Sequence, residues 1–334
     1  MLHARSPVYL VFYVFIAVLT IVTLFPFYIM VVGAFKTQQE INSEPLRLPG
    51  AVEVSPNTRW QYIVDQTPIE VKEFLERFGL EKRPAAHRKL SEFAQSAEQL
   101  EEMRSYIGSQ LRTASVKLVV KRAHLIEALL VTLFVVFGSV FVLSIAGGMA
   151  AYPLALTPYR LFYYILLFFL VGLTLPLMLG LLPLYIMLST VSMLGNPIAL
   201  IFIYAGVRMP LTVLIFLAFY KTIPSELEDA SKLDGLNRIG FFFRILLPLS
   251  KVPILTTFVV SGTYVFNDYM TPLIFMTDPV WTTVQVALAS FVGAQTWFFG
   301  PIFAGVLMAS LPMMIIYLFM NRTFITGLTA GVTK

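Results

Sequence analysis

Cysteine is absent from the 334 residues, which excludes disulfides, thiolate metal sites and a cysteine nucleophile. Charge is scarce too. Asp, Glu, Lys and Arg make up 13 % of the chain against a hydrophobic share of 57 %, and the mean hydropathy is +0.78. A composition this apolar excludes an ordinary soluble domain and indicates an all-α, polytopic membrane protein. There is no glycine-rich phosphate-binding loop of the P-loop kind, so the chain carries no ATP-hydrolysing site of its own. A nucleophile–base constellation and a metal-ligand cluster are missing as well, leaving no catalytic residue and no metal site to assign. The net charge of +5 suits loops facing anionic lipid better than it suits nucleic acid.

The charges that are present are unevenly placed. Residues 36–123 hold 26 of the 43, leaving 17 for the other 246 positions. The chain is therefore a membrane domain interrupted by one polar insertion. Crossing the hydrocarbon takes about 20 apolar residues in a helix, and six stretches qualify: 8–34, 125–151, 160–188, 198–220, 246–275 and 302–321. The third contains Pro176, Gly180 and Pro183, so it is expected to kink or to end early in a second segment. The resulting division is a first helix in 1–35, an insertion at 36–123, a five-helix core at 124–321 and a tail at 322–334.

Basic residues set the orientation. Arg5 precedes the first span and Arg160 lies between the second and third. Lys221, Lys232, Arg238, Arg244 and Lys251 crowd the loop between the fourth and fifth, and Arg322 and Lys334 follow the last. The connections 189–197 and 276–301 carry no Lys or Arg. Both termini and the 221–251 loop are expected in the cytoplasm, and the insertion outside.

That loop carries nine charges and reads as a short helix, a turn and a second helix. Ser225 and Glu228 have the spacing of a capping box, and Leu227, Ala230 and Leu233 share one face. Gly235 permits the left-handed backbone that ends a helix, and Pro248 suits a helix start. The run Glu228-Asp229-Ala230, then Asp234-Gly235, then Ile245-Leu246-Leu247-Pro248 resembles the EAA motif of ABC importer permeases, with Asp229 in place of the first alanine. Further stretches resemble the carbohydrate-uptake (maltose-type, MalG-like) branch: Phe35-Lys36-Thr37, Ala150-Ala151-Tyr152-Pro153-Leu154-Ala155, Phe266-Asn267-Asp268-Tyr269, and the tail Gly327-Leu328-Thr329-Ala330-Gly331. The likeness covers residues 8–37 and 125–334, and residues 66–122 find no counterpart.

The resemblance implies the six-helix fold of type I ABC importer permeases, with the insertion as an extra. It implies a non-catalytic subunit of a binding-protein-dependent sugar importer in a prokaryotic cell membrane, for maltose- or maltodextrin-like oligosaccharides. Its partners would be a second permease in a heterodimer, a dimer of ATPase subunits that bind ATP and Mg, an extracytoplasmic sugar-binding protein and the bilayer. Residues 225–240 would be the coupling helix, with Glu228, Asp229, Ala230, Asp234, Gly235, Leu247 and Pro248 as its motif. Gly327, Leu328 and Thr329 would reach towards the ATPase, and Trp281, Gly293 and Trp297 would mark a scoop loop that enters the binding protein. An ion-coupled secondary carrier is the alternative, but it needs mid-membrane acidic residues and matched halves.

Three polar residues fall inside or beside spans. Arg208 reads either as a pathway residue that meets sugar hydroxyls or pairs with Asp268, or as an end-of-helix arginine that snorkels. Asp268, with Asn267, reads as a polar anchor or as a substrate contact. In the insertion, Thr67-Pro68-Ile69-Glu70 has the form of a capping box before an apolar face of Val71, Phe74, Leu75 and Phe78 that ends at Gly79. After Pro84, Leu90, Phe93, Ala97, Leu100 and Ile107 follow a helical stripe. Contact with a partner and passive decoration are both open for this cap.

Overall fold

The computed structural model describes residues 7–50, 54–156, 160–278, 281–292 and 298–332, with the backbone alone for 7–9, 112 and 321–332. Regular structure among them is helical: α1 (Pro7–Gly33), α2 (Gln38–Ser43), α3 (Trp60–Gln66), α4 (Val71–Phe78), α5 (Ala97–Arg122), α6 (Leu125–Leu156), α7 (Arg160–Thr174), α8 (Leu181–Thr190), α9 (Pro197–Tyr220), α10 (Glu226–Leu233), α11 (Arg238–Leu249), α12 (Lys251–Asn267), α13 (Met270–Phe275), α14 (Val284–Ala289) and α15 (Phe299–Val332). Helices α1, α6, α9 and α15 are long and apolar enough to cross a membrane. Two bent pairs complete the six spans, α7 with 177–190 at 91° and α11 with α12 at 72°.

Proline accounts for both bends. Pro176 is extended (φ −70°, ψ 129°) and opens a 3-10 turn, Leu177–Gly180, where the third span was expected to break. The fifth span differs more from expectation. In place of one stretch 246–275, the helix turns at Ser250 and closes at Asn267. Pro253 removes the N–H that would bond the Leu249 carbonyl and crowds it, so the chain bends there. Pro248 lies inside the helical run, not at its start. The carbonyl it would crowd belongs to Arg244, within a π turn, Phe242–Leu246, where Leu247 N–H reaches back to Phe242. A second π turn covers Phe258–Gly262.

The chain divides into two compact units, Met1–Leu125 with Leu288–Ser310, and Ile126–Ala287 with Leu311–Lys334. The first contains the insertion, whose core is Trp60, Ile63, Phe74, Phe78, Leu90, Met103 and Ile107. The Trp60 and Phe74 rings stand 5.0 Å apart, and the Arg77 guanidinium lies 4.5 Å above Tyr106. Gly79 ends α4 in the left-handed conformation (φ 63°). The expected capping box at Thr67 does not form. Pro68 drives Thr67 into extended backbone, and Thr67 closes α3 by bonding the Ile63 carbonyl through both N–H and hydroxyl. Leu90 sits in a separate 3-10 turn, and α5 starts behind Ser96, which accepts from Gln99 N–H.

In the second unit, one cluster joins Ala151 and Tyr152 of α6, Val213, Phe216, Leu217 and Tyr220 of α9, and Phe241, Phe242 and Leu246 of α11. Glycine makes the approach possible. A Cβ on Gly148 would stand 3.0 Å from the Tyr220 hydroxyl and 3.2 Å from the Phe216 ring.

Candidate functional site

The charged loop folds around α10. Its C-terminus is a Schellman motif: Leu236 N–H bonds the Ser231 carbonyl at 2.9 Å, and Gly235 N–H bonds that of Lys232 at 3.0 Å. Gly235 takes φ 81° to close it. Asn237 then caps α11, its side chain accepting from Gly240 N–H at 2.7 Å. The capping box expected at the other end is not made. Ser225 is already helical (φ −64°, ψ −26°) with no side-chain bond, because the turn begins at Pro224, whose carbonyl accepts from Leu227 N–H.

Glu228 is needed elsewhere. Its largely buried carboxylate lies 3.3 Å from Lys232, which also meets Asp229 at 2.9 Å. Those bonds, the Asp229 one foremost, hold Lys232 above the ordinary lysine pKa. The Tyr152 hydroxyl at the end of α6 is turned towards Glu228 without closing a hydrogen bond. Ser231 is buried, whereas Leu227, Ala230 and Leu233 face solvent, Leu233 at 90 % exposure. Ile239, Phe243 and Leu249 of α11 are exposed as well. So α10 is pinned on its Glu228 and Ser231 side, where Glu228 faces Tyr152 of α6, and Leu227, Ala230 and Leu233 on its other side are left exposed. Asp229, Asp234 and Pro248 are exposed and Leu247 is half-buried.

The pinning continues into the bend. Ser250 is fully buried, and its hydroxyl donates to the Leu246 carbonyl at 2.6 Å and contacts the Tyr220 hydroxyl at 3.2 Å. Neither Tyr220 nor Ser250 was singled out from the sequence. A lone serine between two apolar runs carries no signal until Pro253 is recognised as the cause of a bend.

Further along α12 the character changes. Arg208 lies at the middle of α9, not at its end, and reaches across to the second π turn. Its Nε donates to Ser261 at 3.4 Å, its Nη2 to the Val260 carbonyl at 3.5 Å, and its guanidinium covers the Tyr264 ring at 4.6 Å. The expected pairing with Asp268 is not made. Asp268 is taken by the Tyr204 hydroxyl at 3.0 Å and by Met270 N–H at 3.1 Å, so it anchors α9 and caps α13. Asn267 donates to the Thr263 carbonyl and seals the end of α12. All three line one open cavity of ≈ 600 Å³, together with Tyr264 and Tyr269. Its chemistry is a cation, a carboxylate, an amide and two phenols beside apolar wall, a set that can bond hydroxyl groups.

Trp281 is 55 % exposed and borders an apolar recess with Leu130, Phe134 and Pro197. Gly293 and Trp297 lie outside the described residues, as do Arg5 and Lys334. Gly300 opens α15 and packs against Ser115. Gly327, Leu328 and Thr329 fall within α15, where the backbone alone is described.

Comparison with known proteins places the chain among transport proteins. Residues 144–324 match the family model for the binding-protein-dependent transport system inner membrane component. The melibiose/raffinose/stachyose import permease protein MelC of Bacillus subtilis is 33 % identical over 215 residues, 64 % of this chain and 78 % of that protein. The maltodextrin transport system permease protein MdxG of the same organism is 29 % identical over 170 residues, 51 % and 61 % of the two chains. A solved bacterial ABC transporter involved in the import of the acidic polysaccharide alginate shares the fold. It superimposes with a TM-score of 0.68 at 13 % identity, over 97 % of this chain and 99 % of that one.

Proposed function

The chain belongs to the binding-protein-dependent transport inner-membrane family, and from that premise we propose that it is the sugar-conducting permease subunit of an ATP-driven importer in a prokaryotic cell membrane. It works with a second permease, a pair of ATPase subunits and an extracytoplasmic binding protein. Both termini and α10 lie in the cytoplasm, in keeping with the basic residues between α9 and α12. ATP and Mg belong to the partner subunits, and this chain is not an enzyme. Maltose-like or related oligosaccharides are the solutes, a choice supported by the sugars for which MelC and MdxG are named.

The observation that carries the reading is the construction of α10: a bare acidic and apolar face, joined through the Schellman turn and Asn237 to α11, whose Phe241, Phe242 and Leu246 are buried with α6 and α9. Closing of the ATPase pair on ATP moves α10. The Schellman turn and Asn237 pass that movement to α11, and the buried cluster delivers it to three spans at once. The spans then exchange inward-facing for outward-facing, a shift set by a ligand bound at a distant site. Arg208, Asn267 and Asp268 line the sugar path. Trp281, Gly293 and Trp297 meet the binding protein, and Gly327, Leu328 and Thr329 approach the ATPase.

The test is uptake by the reconstituted complex across a panel of oligosaccharides. The expected result is accumulation that requires ATP and the binding protein, and that stimulates ATPase activity for the transported sugar only. Accumulation driven by an ion gradient without ATP would reverse the proposal.

A further inference from the structure

The unit that contains the insertion has a recess of its own, ≈ 340 Å³ in volume, between α2, residues 54–58, α3 and α5. Glu40 is its one charged residue among the described residues of the lining. The carboxylate is held in place: Oε2 accepts from the Thr37 N–H at 2.8 Å and the Thr37 hydroxyl at 3.0 Å, and Oε1 accepts from Gly50 N–H at 3.0 Å. Oε1 keeps a further lone pair. Tyr62, Thr58 and Ser55 bring hydroxyls to the same lining. Those of Tyr62 and Thr58 bond no other protein group among the described residues. Ser55 accepts from Asn57 N–H at 3.2 Å and retains its own hydrogen to donate. Burial, and then the Glu40 carboxylate, raise Tyr62 above the usual phenol value, so its hydroxyl stays a donor. The floor is apolar, formed by Ile63, Ile107 and Leu111.

This donor set discriminates among ligands. Among the described residues of the lining, an anion meets a carboxylate and no cation. A divalent metal finds one carboxylate, both of whose oxygens are engaged, where oxygen-rich sites supply six to eight ligands. A purely apolar guest would strip water from three hydroxyls without replacing it. A polyhydroxylated ring suits every wall: its hydroxyls trade bonds with the rim, and its C–H face covers the floor. The volume falls within the range of small-molecule sites. We propose that this recess is an accessory site for one ring of a neutral saccharide, read by Glu40, Thr58 and Tyr62 over the Ile107–Leu111 floor. The insertion then serves as a sugar-holding element.

The choice of saccharides as ligands rests on the sugar-import reading, and binding is measured separately from transport. The assembled complex in lipid nanodiscs is titrated with methyl glucoside, maltose and raffinose, and with choline, glucuronate and calcium as controls, followed by saturation-transfer NMR and Trp60 fluorescence. Neutral saccharides are expected to saturate at roughly millimolar concentration. Tyr62→Phe and Thr58→Val should each weaken binding by about 3- to 12-fold, with an unchanged thermal melt. ATP-dependent uptake at saturating sugar should not change. Absence of saturable binding, binding unaffected in the double variant, or preference for choline, glucuronate or calcium overturns the proposal. If ATP-driven uptake fails in the unsubstituted complex while Tyr62-dependent binding persists, the importer reading falls and the site stands.

Discussion

The two ends of one helical run solve opposite problems. At the Ser250 bend the bonded groups are neutral and buried: Tyr220, Ser250 and the Leu246 carbonyl close among Phe216, Phe241 and Phe242. At the Asn267 end the groups are charged and half open: Arg208 and Asp268 each bind the protein, and both face a cavity. The first is built to carry displacement, because close-packed side chains move as one body. The second leaves polar groups within reach of a guest, because none is consumed by an ion pair. In the proposed mechanism, coupling and recognition are separated along α11 and α12.

Breaking the packed end should produce the largest effect. Tyr220→Ala opens a cavity under the bend and should cost about 3–5 kcal/mol, seen as a lower melting temperature of the complex and loss of uptake. Wild-type melting would show that the bend is not supported there. Gly235→Val comes next. No neighbour stands within 4 Å of a Cβ at this position, so the penalty is that of the left-handed backbone alone, roughly 1–2 kcal/mol or more for a branched residue. ATP hydrolysis should continue while uptake stops, and retained coupled uptake would refute the role of the turn.

At the open end the effect should be selective. Arg208→Ala should leave melting and basal ATPase near normal and reduce uptake by about tenfold, the equivalent of 1.4 kcal/mol. Arg208→Lys should recover only part, because lysine lacks the planar fork that spans Ser261 and the Val260 carbonyl. Uptake unchanged in Arg208→Ala would remove the cavity from the pathway. The smallest effect concerns pH. The pKa of Lys232 is raised, so its pairing is complete below the ordinary lysine value of about 10.4 and is lost only as pH rises through the raised value. Coupling should therefore be flat between about pH 6 and 9, and a step in that window would implicate another group.

Much of this was legible in the chain. Six apolar runs announced six spans because the hydrocarbon fixes their length, and Gly235 and Gly79 announced helix ends because few other residues take positive φ. Proline gave the break at Pro176 but not the positions or effects of the others. Pro253 bends the chain near Leu249, Pro248 is absorbed by a π turn, and Pro210 stays inside α9. The capping boxes at Thr67 and Ser225 misled, since local hydrogen-bond logic cannot see that Thr67 closes α3 instead, or that the second helix turns from Pro224 and Lys232 takes the Glu228 carboxylate. The Arg208–Asp268 pairing failed for a similar reason. Tyr204 lies 64 residues before Asp268, and no periodicity joins them.

The two π turns also make chain length itself a variable. Each takes in one residue more than an α-helix would use, and a single residue turns the rest of the helix by about 100°. Removing one residue from Phe258–Gly262 would therefore preserve the apolar run and the span while swinging Tyr264 and Asp268 away from Arg208. In this run a deletion acts as a rotation, and phase is inherited along with composition.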